Sequence, residues 1–148
     1  MERQIITKNK KAYFDFHIFD KYEAGIVLTG TEIKSVRKNT VNLKDSFVHI
    51  ENGEVFLYNC HISPFEHGNR YNHEPLRTRK LLLTKKEILK IDSKVKKDGY
   101  TIVPLEIFIF KGFAKVEIAL AKGKKLHDKR EDIAQKDQKR EMDRLMKR

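Results

Sequence analysis

Asn52-Gly53 separates two apolar-rich runs, Phe47-Val48-His49-Ile50 and Val55-Phe56-Leu57-Tyr58. Asn-Gly readily adopts the two consecutive positive φ angles of a type I′ turn, whose twist matches that of paired strands, so this stretch reads as a β-hairpin. A second hairpin is expected where Tyr100 to Phe110 and Phe113 to Leu120 flank Lys111-Gly112. Phe14, Phe16 and Ile18 alternate with Tyr13, Asp15 and His17, the period of a half-buried strand, and Ala24 to Leu28 is a further apolar run closed by Gly30. Pro104 has no N–H to give to a ladder and belongs at an edge or a bulge.

Helices interrupt the strands. Thr31 is placed to cap a short one whose Ile33 and Val36 face inward. Thr84-Lys85-Lys86-Glu87 is a capping box, in which hydroxyl and carboxylate each satisfy the other's free N–H. Ile88, Leu89, Ile91 and Val95 give that helix its apolar side, and Gly99 supplies its stop. Short strands at fairly regular spacing with two or three flanking helices predict a mainly β (α+β) chain whose antiparallel sheet forms a closed or partly open barrel.

The organisation changes near residue 122, beyond which the chain is almost entirely charged. Residues 122–148 hold 11 basic and 6 acidic side chains, a net +5 of the chain's +11. Both parts are therefore basic. We divide the chain into an N-terminal extension (1–12), a β domain (13–121) and a charged tail (122–148). Leu126, Ile133, Ala134, Met142, Leu145 and Met146 form too thin a stripe to bury against a core. The pairs Asp132–Lys136, Asp143–Lys147 and Glu141–Arg144 support a helix by only a few tenths of a kcal/mol each, roughly. The tail is expected to be disordered when free and to become helical on a partner.

With 36% charged and 39% hydrophobic residues, the chain has enough apolar content for one modest core and a surface suited to a polyanion, nucleic acid or an anionic membrane. No segment has the apolar length of a membrane span or a signal peptide, which places the expectation in the cytoplasm. Cys60 is the single cysteine and lies in an apolar-alternating run, so it reads as a small core residue.

Enzymatic signatures are scarce. The seven glycines form no phosphate-cradling loop, and neither a nucleophile elbow nor a His-Glu-x-x-His is present. His61, Glu66, His67 and His73 are near one another in sequence and leave a metal-dependent nuclease as one reading. RNA contact is the better supported one. Lys34, Arg37 and Lys38 form a basic edge on the short helix, opposite Ile33 and Val36; a merely solvated face is the alternative. Residues 67–80 form a long non-periodic connection that interleaves Tyr71 and His73 with cations and amides, the mixture that stacks on bases and bonds phosphates.

Glu23-Ala24-Gly25-Ile26, Gly30-Thr31-Glu32-Ile33-Lys34-Ser35-Val36-Arg37, Asn42-Leu43-Lys44-Asp45-Ser46-Phe47-Val48, Arg77-Thr78-Arg79-Lys80-Leu81-Leu82-Leu83 and Ala121-Lys122-Gly123-Lys124-Lys125-Leu126-His127-Asp128-Lys129-Arg130 follow one another in this order. In these segments the chain resembles the small protein B family, the SsrA-binding proteins, from about Asn9 onward. The resemblance implies an oligonucleotide-binding-type β-barrel and a non-catalytic, cofactor-free role. The partner it implies is the tRNA-like domain of transfer-messenger RNA, bound at its D-loop and elbow, with alanyl-tRNA synthetase an indirect partner. The complex, with elongation factor Tu and GTP, would rescue stalled ribosomes, the barrel standing in for a tRNA anticodon arm and the tail entering the message channel.

Carried over by position, the RNA-facing residues would be Glu23, Lys34, Arg37, Leu82, Thr84 and Lys115, together with Asn69, Asn72, Arg77, Arg79 and Lys80 around the long connection. Lys122, Gly123, Lys124, Lys125, His127, Asp128, Lys129 and Arg130 would serve the decoding region. Thr84 departs from the family, many members of which have His or Asn there; it keeps the cap but shortens the reach to RNA. Glu23 is an acceptor only and would select base or sugar donors, or else form a salt bridge to a neighbouring lysine. Another oligonucleotide-barrel factor of translation is the competing binding reading, and it would differ in tail and in RNA choice.

Overall fold

The structure is a computed structural model that describes residues 3–65 and 72–125. Asn69, His127, Asp128, Lys129 and Arg130 lie outside the described residues, as do Glu66, His67 and Tyr71. In chain order the elements are β1 (Gln4–Lys8), α1 (Lys10–Asp15), β2 (Phe16–Ile26), α2 (Gly30–Arg37), β3 (Val41–Asn42), β4 (Phe47–Glu51), β5 (Glu54–Tyr58), β6 (His61–Ile62), β7 (Arg79–Leu82), α3 (Lys85–Asp98), β8 (Thr101–Phe110) and β9 (Phe113–Gly123). Seven strands form one sheet in the order β1-β8-β9-β2-β7-β5-β4, and β3 and β6 form a separate pair. All pairings are antiparallel.

The chain is mostly β with three helices, as expected, but the sheet does not close. β1 and β4 are its two edges, and no ladder joins them. The sheet curls until β4 lies against β8, where Val48, Ile50, Val95, Tyr100 and Ile102 line the seam. Part of the β8 edge that could close it is taken by β1, which pairs with Glu106 to Ile109. Gln4–Lys8, within the stretch set apart as an extension, thus belongs to the sheet.

Turn chemistry sets the hairpins. Asn52 and Gly53 have φ of 51° and 76°, and Lys111 and Gly112 have 51° and 82°. The β8–β9 register shifts between Pro104 and Glu106, so the proline marks a bulge. Thr84 and Glu87 complete the capping box of α3, and Gly99 ends that helix in the left-handed conformation at φ 72°.

Two local expectations need correction. Tyr13 to Asp15 belong to α1, not to a strand. Asn9 decides this: its side chain accepts from the Ala12 N–H at 3.2 Å and donates to the Pro104 carbonyl at 2.9 Å. The cap of α2 is Thr29, not Thr31, because Glu32 stands three residues on and its carboxylate accepts the Thr29 N–H at 2.9 Å.

Alternate residues of the strands fill the core: Ala24, Val48, Val55, Leu57, Leu81, Ile107, Val116, Ile118 and Leu120, closed by Ile91 of α3 and Val36 of α2. Each fully buried Leu or Ile contributes about 1.5–3 kcal/mol relative to exposure. A smaller cluster, in which Ala12 of α1 meets Val103, Leu105, Ala119 and Ala121, covers one end of the opposite face. No helix among the described residues is long and apolar enough to cross a membrane.

Candidate nucleic-acid interface

Register brings four of the expected RNA-facing residues onto one face. Gly25 of β2 pairs with Leu82 of β7 on one side and Lys115 of β9 on the other, and Lys115 pairs with Phe108 of β8. Their neighbours Ala24, Leu81 and Val116 are buried in the core, so Leu82, Lys115 and, two residues from Gly25, Glu23 face away from it. Leu82 is 53% exposed and leaves an apolar side chain on this face. A Cβ on Gly25 would come within 3.3 Å of the Leu82 Cβ, so glycine there leaves a shallow notch between Leu82 and Lys115. Lys80 shares the face and reaches Glu54 at 3.3 Å. Thr84 follows, exposed at the N-terminus of α3, its hydroxyl committed to the cap.

A row of three carboxylates lies beside this lane, because Glu23 pairs with Glu117 and Glu117 with Glu106. The cation that answers them is Arg3. Its guanidinium reaches Glu23 at 3.2 Å, Glu106 at 2.8 Å and Glu117 at 3.3 Å, and lies 3.5 Å from the Phe108 ring centroid. The partner of Glu23 is therefore this arginine rather than a lysine.

The basic edge of α2 is a second patch. Lys34, Arg37 and Lys38 are exposed while Ser35 and Val36 are buried, and the ammonium groups of Lys34 and Lys38 sit 5.3 Å and 4.9 Å from the Phe65 ring centroid. The helix is held from beneath by Glu32, which is fully buried. Its carboxylate accepts from Arg77 Nη2 and Arg79 Nε, both at 2.6 Å. Burial pushes the Glu32 pKa up, but the Arg77 bond, the Thr29 N–H and Arg79 outweigh it, and the net displacement is downward.

Arg79 is the main correction to the expected site. Its side chain is 0% exposed, donating to Glu32, to the Cys60 carbonyl at 2.5 Å and to the Glu74 and Pro75 carbonyls at 3.4 Å and 3.2 Å. A guanidinium so enclosed reaches no RNA; it fastens α2, the end of β5, the 74–75 turn and β7 together. Arg77, at 36% exposure, is half-committed to Glu32 and to the Val27 carbonyl.

Asn72 pins the neck of the long connection, accepting from the Phe65 N–H at 3.0 Å and donating to the Phe65 carbonyl at 2.6 Å. Both ring nitrogens of His73 are engaged, Nδ1 with the Thr31 hydroxyl at 2.9 Å and Nε2 with the Ile62 carbonyl at 2.8 Å. That removes His73 from any metal set, and no metal-holding group of side chains is found among the described residues. Cys60 is buried, and burial pushes its thiol up to about 11 against the pull of Arg79.

The SmpB protein family model matches residues 6–148. The chain belongs to the SmpB protein family. Among its SmpB relatives, the SsrA-binding protein of Geobacillus kaustophilus (strain HTA426) is 58% identical over 146 residues, 99% of this chain and 94% of the relative. That of Carboxydothermus hydrogenoformans (strain ATCC BAA-161 / DSM 6008 / Z-2901) is 55% identical over 144 residues, 97% of each. A solved SmpB chain from work headed "tmRNA-SmpB: a journey to the center of the bacterial ribosome" superposes with a TM-score of 0.68 at 45% identity, over 81% of this chain and 85% of that one.

In this SmpB chain the charged tail starts inside the sheet. Gly123 and Lys122 pair with Phe16 and His17 of β2, the Lys122 ammonium lies 4.5 Å from the Tyr100 ring centroid, and the Lys124 N–H donates to the Asp15 carbonyl at 2.8 Å. Lys125 is exposed just beyond. Arg3, Phe108, Glu106 and Glu117 escaped sequence reasoning, because the signal is a register across β2, β9 and β8 rather than a local motif.

Proposed function

We propose that this chain binds transfer-messenger RNA through its tRNA-like domain and delivers it to stalled ribosomes, acting as an adaptor without catalysis. The observation that carries this reading is its likeness, at 45% identity, to a chain from work on tmRNA and SmpB in the bacterial ribosome. Relatives known as SsrA-binding proteins match almost end to end and support the same role.

In this reading Lys34, Arg37, Lys80 and Lys115 set register on phosphates, Leu82 lies against a base or sugar, and Glu23 accepts from base or sugar donors. Arg77 and Thr84 lie at the margin, Asn72 and Asn69 contribute contacts from the long connection, and Arg79 acts from inside. The curled sheet serves as a partly open oligonucleotide-binding-type barrel that binds the D-loop and elbow and itself occupies the place of a tRNA anticodon arm. Lys122, Gly123, Lys124 and Lys125, with His127, Asp128, Lys129 and Arg130, serve the decoding region and message channel. Elongation factor Tu with GTP shares the complex, alanyl-tRNA synthetase is an indirect partner, and the cytoplasm is the setting.

The test is competition between the isolated tRNA-like domain and ordinary tRNA at stated salt. A clear preference for the former is expected; equal affinities would reduce the interaction to charge alone. Truncation after Lys125 keeps the β2–β9 ladder whole. It is expected to preserve most RNA affinity and to abolish ribosome rescue.

A further inference from the structure

An RNA-binding face that carries three carboxylates in register is an electrostatic oddity, since each repels phosphate. Glu106 and Glu117 face each other across β8 and β9 with side chains only 11% and 13% exposed, while Glu23 in the same row is 52% exposed. Lys21 is the other cation in reach, 3.8 Å from Glu117. Arg3 donates from Nη1 to both Glu23 and Glu117, places Nη2 2.8 Å from Glu106, and is braced from below by the Phe108 ring. Its other contacts fix where the guanidinium lies, so its 3.2 Å bond to Glu23 Oε1 fixes that carboxylate in turn. Arg3, Glu23, Phe108 and Phe110 line a shallow pocket on this face.

We infer that Arg3 is a positioning residue for RNA recognition: it aims Glu23 at a donor edge of the RNA. The inference rests on the transfer-messenger RNA reading above. Arg3 acts through Glu23 and makes no phosphate contact of its own. Arginine suits the place because its delocalised guanidinium packs on an aromatic ring while its N–H groups bond carboxylates, which the compact, strongly hydrated ammonium of lysine does less well.

A double-mutant cycle on the full chain tests it. Affinities for the tRNA-like domain are measured for the wild type, Arg3→Gln, Glu23→Gln and the double variant over a salt series. Arg3→Gln is expected to weaken binding about fivefold, the scale of a partly exposed ion pair, with no further loss in the Glu23→Gln background. The slope of log affinity against log salt is expected to stay unchanged. Equal losses in both backgrounds would overturn the inference, and so would tighter binding by Arg3→Gln. A slope reduced by about one would mean that Arg3 itself holds a phosphate. Thermal melts check folding; should Arg3→Gln not fold, Arg3→Lys enters the same cycle under the same criteria. Failure of the wild type to prefer the tRNA-like domain over tRNA would instead sink the underlying reading.

Discussion

The Glu32–Arg79 pair behaves as a rivet whose worth is clearest when one half is removed. Arg79→Met would leave the Cys60 carbonyl unbonded and Glu32 dependent on the more exposed Arg77. A loss of about 3 kcal/mol is expected, readable as a lower urea midpoint. Glu32 also has a pH signature. Its folded pKa is lowered from 4.5, so its stabilisation is complete above that value and is lost as pH falls toward the folded pKa. Urea titrations from neutral pH down to about 3 should show the wild type weakening more steeply than Glu32→Gln, whose side chain does not titrate. Equal slopes would count against the network. With its thiol at about 11 and no solvent access, Cys60 is expected to resist thiol reagents at neutral pH until the chain unfolds.

At the scale of elements, the hairpins follow from a backbone requirement that few residues meet. Gly53 has φ of 76° with open space around its Cα, so Gly53→Ala would cost about 1–2 kcal/mol through backbone strain alone, visible as a lower melting temperature. Such turns were legible in the sequence, as were the capping box at Thr84 and the bulge at Pro104, because each is written within four residues. The misread elements had competing local signals. The alternation around Phe14 suited a strand, while Asn9 could equally start a helix, and its contact with Pro104 decided the matter. Thr29-Gly30-Thr31-Glu32 holds two candidate caps, of which only Thr29 has Glu32 at the reciprocal spacing. Burial of a charged group was not legible: Arg77, Arg79 and Lys80 look alike in composition, yet alternation along β7 turns Arg79 inward and Lys80 outward.

For the molecule as a whole, β9 carries the body directly into the first residues of the charged tail, Lys122 and Gly123. Because Lys124 is tied to Asp15, removal of residues 126–148 should leave the melting temperature of the body unchanged, whereas a cut before Lys122 should lower it by erasing the last β2–β9 pairs. The same ladder bears on how the polypeptide is made. β2 lies between β7 and β9, and Phe16 finds Gly123 only once the chain has been made through β9. Until then the nascent β2 has one bare hydrogen-bonding edge, and Ala24 and Leu81 lack part of their cover. A copy left unfinished before Phe113 would therefore be prey for proteases and aggregation rather than a weaker adaptor.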